Sequence, residues 1–345
     1  MIQADKTKKL SEFEILRAAS IILLMFSHSD IYSLTLYGIK LEPIGPYLRG
    51  FFLGSFFFMA GYFIEHSNKN KQKDFLMFIW SKIVRLFPPY WLALLSFMFI
   101  MYYSLQRDDL IVYSLNLQFL FSPLYVKQLL TLWYISVVFS YFVIFGLFLS
   151  SSTRNLLIWS VFVFVGSYLI NRQYGLFDYR FFEYYLIFLL GILLARFEDV
   201  YEKLIKISLP VQLLLVFIGF VMFGIFCFGD YKVTSWAYIL ASDFHIITMI
   251  VLALKIFRTG YLDHKIWNAI SYSSFFAYLF HRPIWEIMFR MIEFPFRIYD
   301  GWYRLFPGAI LVFVICYYFQ LGYDKTLDAA ETLWKRNFNM AKENM

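Results

Sequence analysis

Two ionisable residues, Arg17 and His28, stand inside the first apolar stretch of the chain, FEILRAASIILLMFSHSD, with ten residues between them. An ionisable side chain within a membrane span costs about 2.5–3.5 kcal/mol on insertion scales, so its presence points first to function. Glu14 and Arg17 are three apart and share a helix face. On a helix, His28 lies ~16 Å beyond Arg17, roughly half of the hydrocarbon core. Arg17 then sits about one turn in from the cytoplasmic end, where a guanidinium can snorkel or hold an anion. His28 is expected near the midplane, where only a cavity could bring a reactant to it. An ionisable imidazole at that depth is by default a candidate functional group. Hydrogen bonding to a neighbouring helix is the ordinary structural alternative.

Two more segments combine charge with apolar surroundings. WSKIVRLFPPYW places Lys82 and Arg85 on one helix face, just before a Pro88-Pro89 pair expected to break or kink the helix. Two cations beside a helix break can bind an anion, although cytoplasmic anchoring produces the same pattern. SYSSFFAYLFHRPIW carries His281 and Arg282 in an aromatic run, with Pro283 expected to kink the helix beside them. His245, beside Asp243, reads as a structural pair; His66 and His264 fall in loops and receive no role. No phosphate-binding glycine loop, zinc-binding HExxH helix or GxSxG elbow is present. No metal is expected.

The elements that must position these residues are membrane helices. Of 345 residues, 61% are hydrophobic and only 16% charged, against roughly a quarter charged in soluble domains. About ten spans can be placed: Phe13–Leu36, Leu48–Glu65, Ile83–Leu105, Leu130–Leu149, Leu156–Ile170, Arg180–Ala195, Ile207–Phe228, Ala237–Phe257, Ile270–Met291 and Pro307–Gly322. The predicted fold is thus all-α and polytopic, with residues 1–323 forming the transmembrane domain. Residues 324–345 form an amphipathic cytoplasmic tail, with Leu327, Ala330, Trp334 and Phe338 at helical spacing. The stretch 106–127 reads as an extracellular loop with short helical pieces. Loop lysines and arginines, among them Lys6, Lys8, Lys9, Lys69, Lys71, Lys73, Arg154, Arg196 and Lys203, orient both termini toward the cytoplasm. The net charge of +7 is scattered through short loops rather than gathered in a stripe, which argues against nucleic acid. Cys227 and Cys316 give neither a disulfide framework nor metal-ligand spacing. The first apolar run lacks a small-residue cleavage site and reads as a retained span.

Taken together and in order, these motifs resemble the acyltransferase-3 family of integral-membrane acyltransferases that modify bacterial surface polysaccharides. The first-span pattern of acid, arginine and histidine is matched by Glu14, Arg17 and His28. The second-span pattern FF-x-x-SGY/F is matched by FFFMAGYFI, with Ala60 where serine is common. SKIVRLFPPYW, LWYIS at Leu132–Ser136 and YLFHRPI at Tyr278–Ile284 match the remaining motifs. The chain resembles the stand-alone kind, without the SGNH-type hydrolase domain that some members carry.

The resemblance implies a multi-pass protein of the bacterial inner membrane and an acyl-CoA donor, usually acetyl-CoA, in the cytoplasm. It implies a glycan acceptor at the outer face: a capsule, an O-antigen, another exopolysaccharide or a lipid-linked glycan. Lys82, Arg85 and Arg17 are the expected donor-binding residues. His28, Arg17 and His281 are the expected catalytic ones, with His281 and Arg282 toward the acceptor half. A polysaccharide or glycolipid transporter is the alternative, since intramembrane charges also mark transport paths; consumption of acyl-CoA discriminates the two.

Overall fold

A computed structural model describes residues 11–29, 35–36, 39–40, 42–70, 74–259, 265–296 and 301–343. The described residues are overwhelmingly helical. In chain order the helices are α1 (Ser11–His28), α2 (Gly45–Asn70), α3 (Phe75–Phe99), α4 (Arg107–Ser114), α5 (Gln118–Phe121), α6 (Trp133–Gly146) and α7 (Thr153–Tyr174). There follow α8 (Tyr179–Glu183), α9 (Tyr185–Arg196), α10 (Glu198–Lys206), α11 (Leu209–Phe228), α12 (Trp236–Phe257), α13 (Lys265–Phe296), α14 (Gly301–Tyr303) and α15 (Ala309–Glu343). A two-residue antiparallel ladder pairs Thr35 with Lys40 and Leu36 with Ile39.

Among the described residues, five helical segments are long and apolar enough to cross a membrane: Glu42–Asn68, Thr153–Tyr174, Leu209–Phe228, Trp236–Phe257 and Gly301–Ala330. Helices α1, α3 and α13 are comparably long but carry charged side chains along their length. Such side chains must face protein or a cavity rather than lipid. The layout follows from this. Helix α2 is largely buried and packs against α9, α1 and α12, whereas α7 and α11 turn most of their apolar surface outward.

Local signals explain the boundaries. Ser152 caps α7 by accepting from the Asn155 amide, and Gly175 ends that helix in the left-handed conformation at φ +67°. Asp178 and Ser235 cap α8 and α12 with their side chains. The expected sixth span is divided at Tyr184 into α8 and α9.

Three expectations change. The first helix stops at His28 rather than running to Leu36, because the sequence turns polar at Ser27–Asp30 and residues 35–36 join the ladder instead. His28 therefore closes α1. The proline pair does not break α3, which runs through Pro88 and Pro89. Pro88 has no N–H for the Val84 carbonyl, and the Tyr323 hydroxyl donates to that carbonyl at 2.6 Å. Helix α13 likewise continues through Pro283. Finally, α15 passes residue 323 without interruption for 35 residues, ~52 Å of helix against a hydrocarbon core of about 30 Å. Stretch 106–127 contains α4 and α5, held to α3 where the Tyr90 hydroxyl donates to the Tyr113 carbonyl at 2.6 Å.

The tightest helix contact uses glycine on both sides. A Cβ at Gly61 of α2 would meet the Phe188 carbonyl oxygen at 2.1 Å, and one at Gly191 of α9 would meet that of Phe58 at 2.2 Å. At one end of this contact Arg196 clasps Glu65 with two hydrogen bonds, 3.0 and 3.1 Å, and also donates to the carbonyls of Leu149 and Ser151. A glycine-tight pair and a satisfied ion pair give the bundle a rigid centre.

Candidate active site

Three cavities succeed one another along α1. The first, about 430 Å³, lies by its start and is lined by Glu14, Arg17, Arg85, Ser271 and Asp324. The second, about 230 Å³, is mainly apolar and is lined by Arg17, Ala60, Lys82, Tyr134, Phe142 and Tyr278. The third, about 250 Å³, lies by the end of α1 and holds His28, Arg49, Arg180, Glu183, Tyr278 and Arg282. The same order is read along α13, from Ser271 through Ser274 and Tyr278 to Arg282, and in reverse along α2, from Ile64 to Arg49. Arg17 is shared by the first two cavities, and Tyr278 by the second and third.

Tyr278 is fixed at that junction. Its hydroxyl donates to the Thr131 carbonyl at 2.6 Å. Its ring lies 5.0 Å from Tyr134 and 6.3 Å from Phe56, centroid to centroid. Tyr278 thus borders both the apolar cavity and the one that reaches His28, with Tyr134 and Phe56 packed near it on the apolar side.

The two histidines expected at the site meet. His28 Nδ1 lies 2.8 Å from His281 Nε2, with the rings 5.0 Å apart and 11° from parallel. His281 Nδ1 sits 3.0 Å from the Ala277 carbonyl and 2.9 Å from that of Tyr278. A carbonyl oxygen only accepts, so His281 Nδ1 carries the proton. With both imidazoles neutral, His281 Nε2 accepts from His28 Nδ1–H, and the free lone pair falls on His28 Nε2. That nitrogen has no hydrogen-bond partner among the described residues, and His28 lines the cavity. Trp285 packs edge-on against His281 at 5.2 Å, leaving His281 buried and His28 partly accessible. The arrangement has the parts of a base or nucleophile oriented by a second group.

The cations divide differently. Arg17 does not share a cavity with His28; it lines the two cavities at the other end, with its guanidinium 5.4 Å from the Phe63 ring centre. Lys82 joins it in the second cavity, its ammonium 4.9 Å from the Phe142 ring centre, and Arg85 joins it in the first. Glu14 accepts from the Ser271 hydroxyl, tying α1 to α13 at this end.

Sequence reasoning passed over the polar wall opposite His28. Arg180 makes a two-point pair with Asp178, at 2.8 and 2.5 Å, and lies 3.7 Å from the Trp133 ring centre. Gln128 donates to the same Asp178 at 2.7 Å, and Glu183 is buried nearby. The signal was available: FDYRFFEYY carries three charges into an apolar run. Asp243 and His245 do not form the expected pair, since neither side chain has a hydrogen-bond partner. Residues two apart on a helix do not face each other, and His245 is instead boxed by Tyr47, Phe220 and Phe223. His66 lies on α2, stacked near Tyr62, rather than in a loop; His264 lies outside the described residues. Among the described residues no three His, Cys, Asp or Glu side chains gather as metal ligands would.

No curated protein and no solved structure matches this chain. The family described as an acyltransferase domain, acyltransferase-3, matches residues 10–321, which contain the histidine pair and, apart from Asp324, the lining of all three cavities. With apolar helices long enough to cross a bilayer, the chain is a membrane protein and belongs to the acyltransferase-3 family.

Proposed function

We propose that this acyltransferase moves an acyl group, acetyl in the first instance, from cytoplasmic acyl-CoA to a hydroxyl of an extracytoplasmic glycan. In this reading the chain crosses the bacterial inner membrane about ten times with both termini in the cytoplasm, and residues 324–345 extend beyond the transmembrane domain as a tail. The observation that carries it is the histidine pair: His281 leaves His28 Nε2 as a lone pair beside a cavity.

The cavity series supports a two-sided reaction. Arg85 and Arg17 suit the donor's phosphates, because guanidinium groups match phosphate oxygens in charge and geometry. Lys82 and the apolar walls of the second cavity suit the pantetheine arm. The thioester reaches His28 past Tyr278. The acceptor hydroxyl then passes its proton to His28 Nε2 as its oxygen attacks the thioester carbonyl. The tetrahedral adduct collapses, the C–S bond breaks, and the thiolate of CoA takes the proton back from His28. Arg17, on the far side of Tyr278, serves donor binding, and His281 acts by positioning His28.

The test is transfer or hydrolysis of radiolabelled acetyl-CoA by purified protein in detergent, wild type beside His28→Ala. Loss of label from CoA with the wild type alone supports the reading. Equal activity in the variant removes His28 from the reaction. Glycan movement without acyl-CoA consumption means that the chain transports.

A further inference from the structure

We propose that the cavity beside His28 selects an acceptor bearing a negative charge, a carboxylate or phosphate on the glycan, and that Arg49 recognises it. The inference rests on the reading of that cavity as the acceptor site. Its charged lining consists of Arg49, Arg180, Arg282 and Glu183. Arg180 is committed: Asp178 neutralises it through two hydrogen bonds, and its flat face lies on Trp133. Glu183 is 7% exposed, set into the wall with the Ser242 hydroxyl 3.5 Å from its carboxylate. Of the remaining charges, Arg49 and Glu183 lie within electrostatic reach of each other, and Arg282 adds a further guanidinium to the lining.

Arg49 differs from its neighbours. It lies near the start of α2, is exposed, and forms no hydrogen bond or ion pair with any described residue. Asp178, Arg180 and Gln128 are bonded to one another, whereas the Arg49 guanidinium has Glu183 within electrostatic reach and keeps its N–H groups out of any hydrogen bond to a described residue. A planar fork of N–H groups matches carboxylate or phosphate oxygens two at a time. The donor's phosphates do not account for it, because Arg17, Lys82 and Arg85 line the cavities toward the other end of α1. That cation belongs to the second substrate, and Tyr179 and Tyr184 line the same cavity as neutral partners for sugar hydroxyls.

The experiment is direct binding to the full chain in detergent, by thermophoresis, of three probes: a glucuronate-containing tetrasaccharide, its carboxyl-reduced counterpart, and inorganic pyrophosphate. Wild type, Arg49→Gln and Arg49→Lys are compared, with melting curves confirming that each is folded. The expected result is binding of the acidic saccharide at least about tenfold tighter than its reduced form, as for a charge-assisted pair. Arg49→Gln abolishes that preference and Arg49→Lys retains part of it. Arg49-dependent binding of pyrophosphate, with the two saccharides alike, supports the proposal and identifies a phosphate-bearing acceptor as the source of the charge. Equal binding of all three probes, an anion preference that survives Arg49→Gln, or no binding of either anion to the wild type overturns it. Binding needs no turnover, so a protein that binds the acidic saccharide but never consumes acyl-CoA counts against the proposed reaction instead.

Discussion

The Tyr323 hydroxyl donates to the Val84 carbonyl, the one oxygen in α3 that Pro88 deprives of its helical donor. A proline in a helix costs about 3 kcal/mol when its lost bond goes unreplaced, so a residue 239 positions away keeps α3 continuous. Arg85 lies about one turn and Lys82 nearly two turns before the proline, and their register on the cavity wall depends on that continuity.

Tyr323→Phe is therefore expected to destabilise the protein by about 1 kcal/mol, the cost of leaving a part-buried acceptor unpaired. Pro88→Ala restores an N–H at that position and should remove the penalty. Melting temperatures of the two single variants and the double variant measure the coupling; additive effects would separate the tyrosine from the proline.

For the histidine pair, His28→Ala is expected to lower acyl transfer about 10²–10⁴-fold, the range of a lost general base. His281→Ala should lower it about 10–100-fold, as expected of a residue that orients another, with the KM for acyl-CoA unchanged. The double variant should be no slower than His28→Ala alone, because His281 acts through His28. Initial rates over a range of acyl-CoA concentrations separate kcat from KM and decide the point.

Replacing Arg17, Lys82 or Arg85 by alanine should act on donor affinity, raising the KM for acyl-CoA about tenfold or more for each charge-assisted contact removed. Arg85→Ala should lose most of its effect when the donor is acyl-pantetheine, which lacks the nucleotide phosphates. An equal loss with both donors would move Arg85 away from the phosphates.

Gly61→Ala is expected to reduce the yield of folded protein sharply. Its added methyl group would sit 2.1 Å from a backbone oxygen of α9 that cannot step aside. Size-exclusion profiles of the detergent-solubilised protein report it. A variant that elutes as the wild type does would show that α2 and α9 can separate without loss of the fold.

Much of this was legible in the sequence because hydrocarbon makes charge conspicuous. Arg17, His28, Lys82, Arg85 and His281 stood out as ionisable groups in apolar runs, and the structure places every one of them on a cavity wall or within the histidine pair. Which residues share a compartment was not legible. Arg17 and His28 lie on one helix, yet Tyr278, distant in sequence, stands between their cavities. The end of α1 was missed because apolar residues resume after Asp30, and hydropathy alone does not register the polar interruption at Ser27–Asp30. Arg49 was absorbed into the edge of a span, where arginine is ordinary.

The double carbonyl grip on His281 has a bearing on energetics. Its Nδ1 proton is shared by two backbone oxygens of its own helix, and neither can pass a proton onward. A proton taken up by His28 thus finds no wire through His281 and leaves by the route it came. In the proposed reaction the catalytic proton is lent and returned inside one chamber. A reaction of that kind would neither draw on nor dissipate a proton gradient.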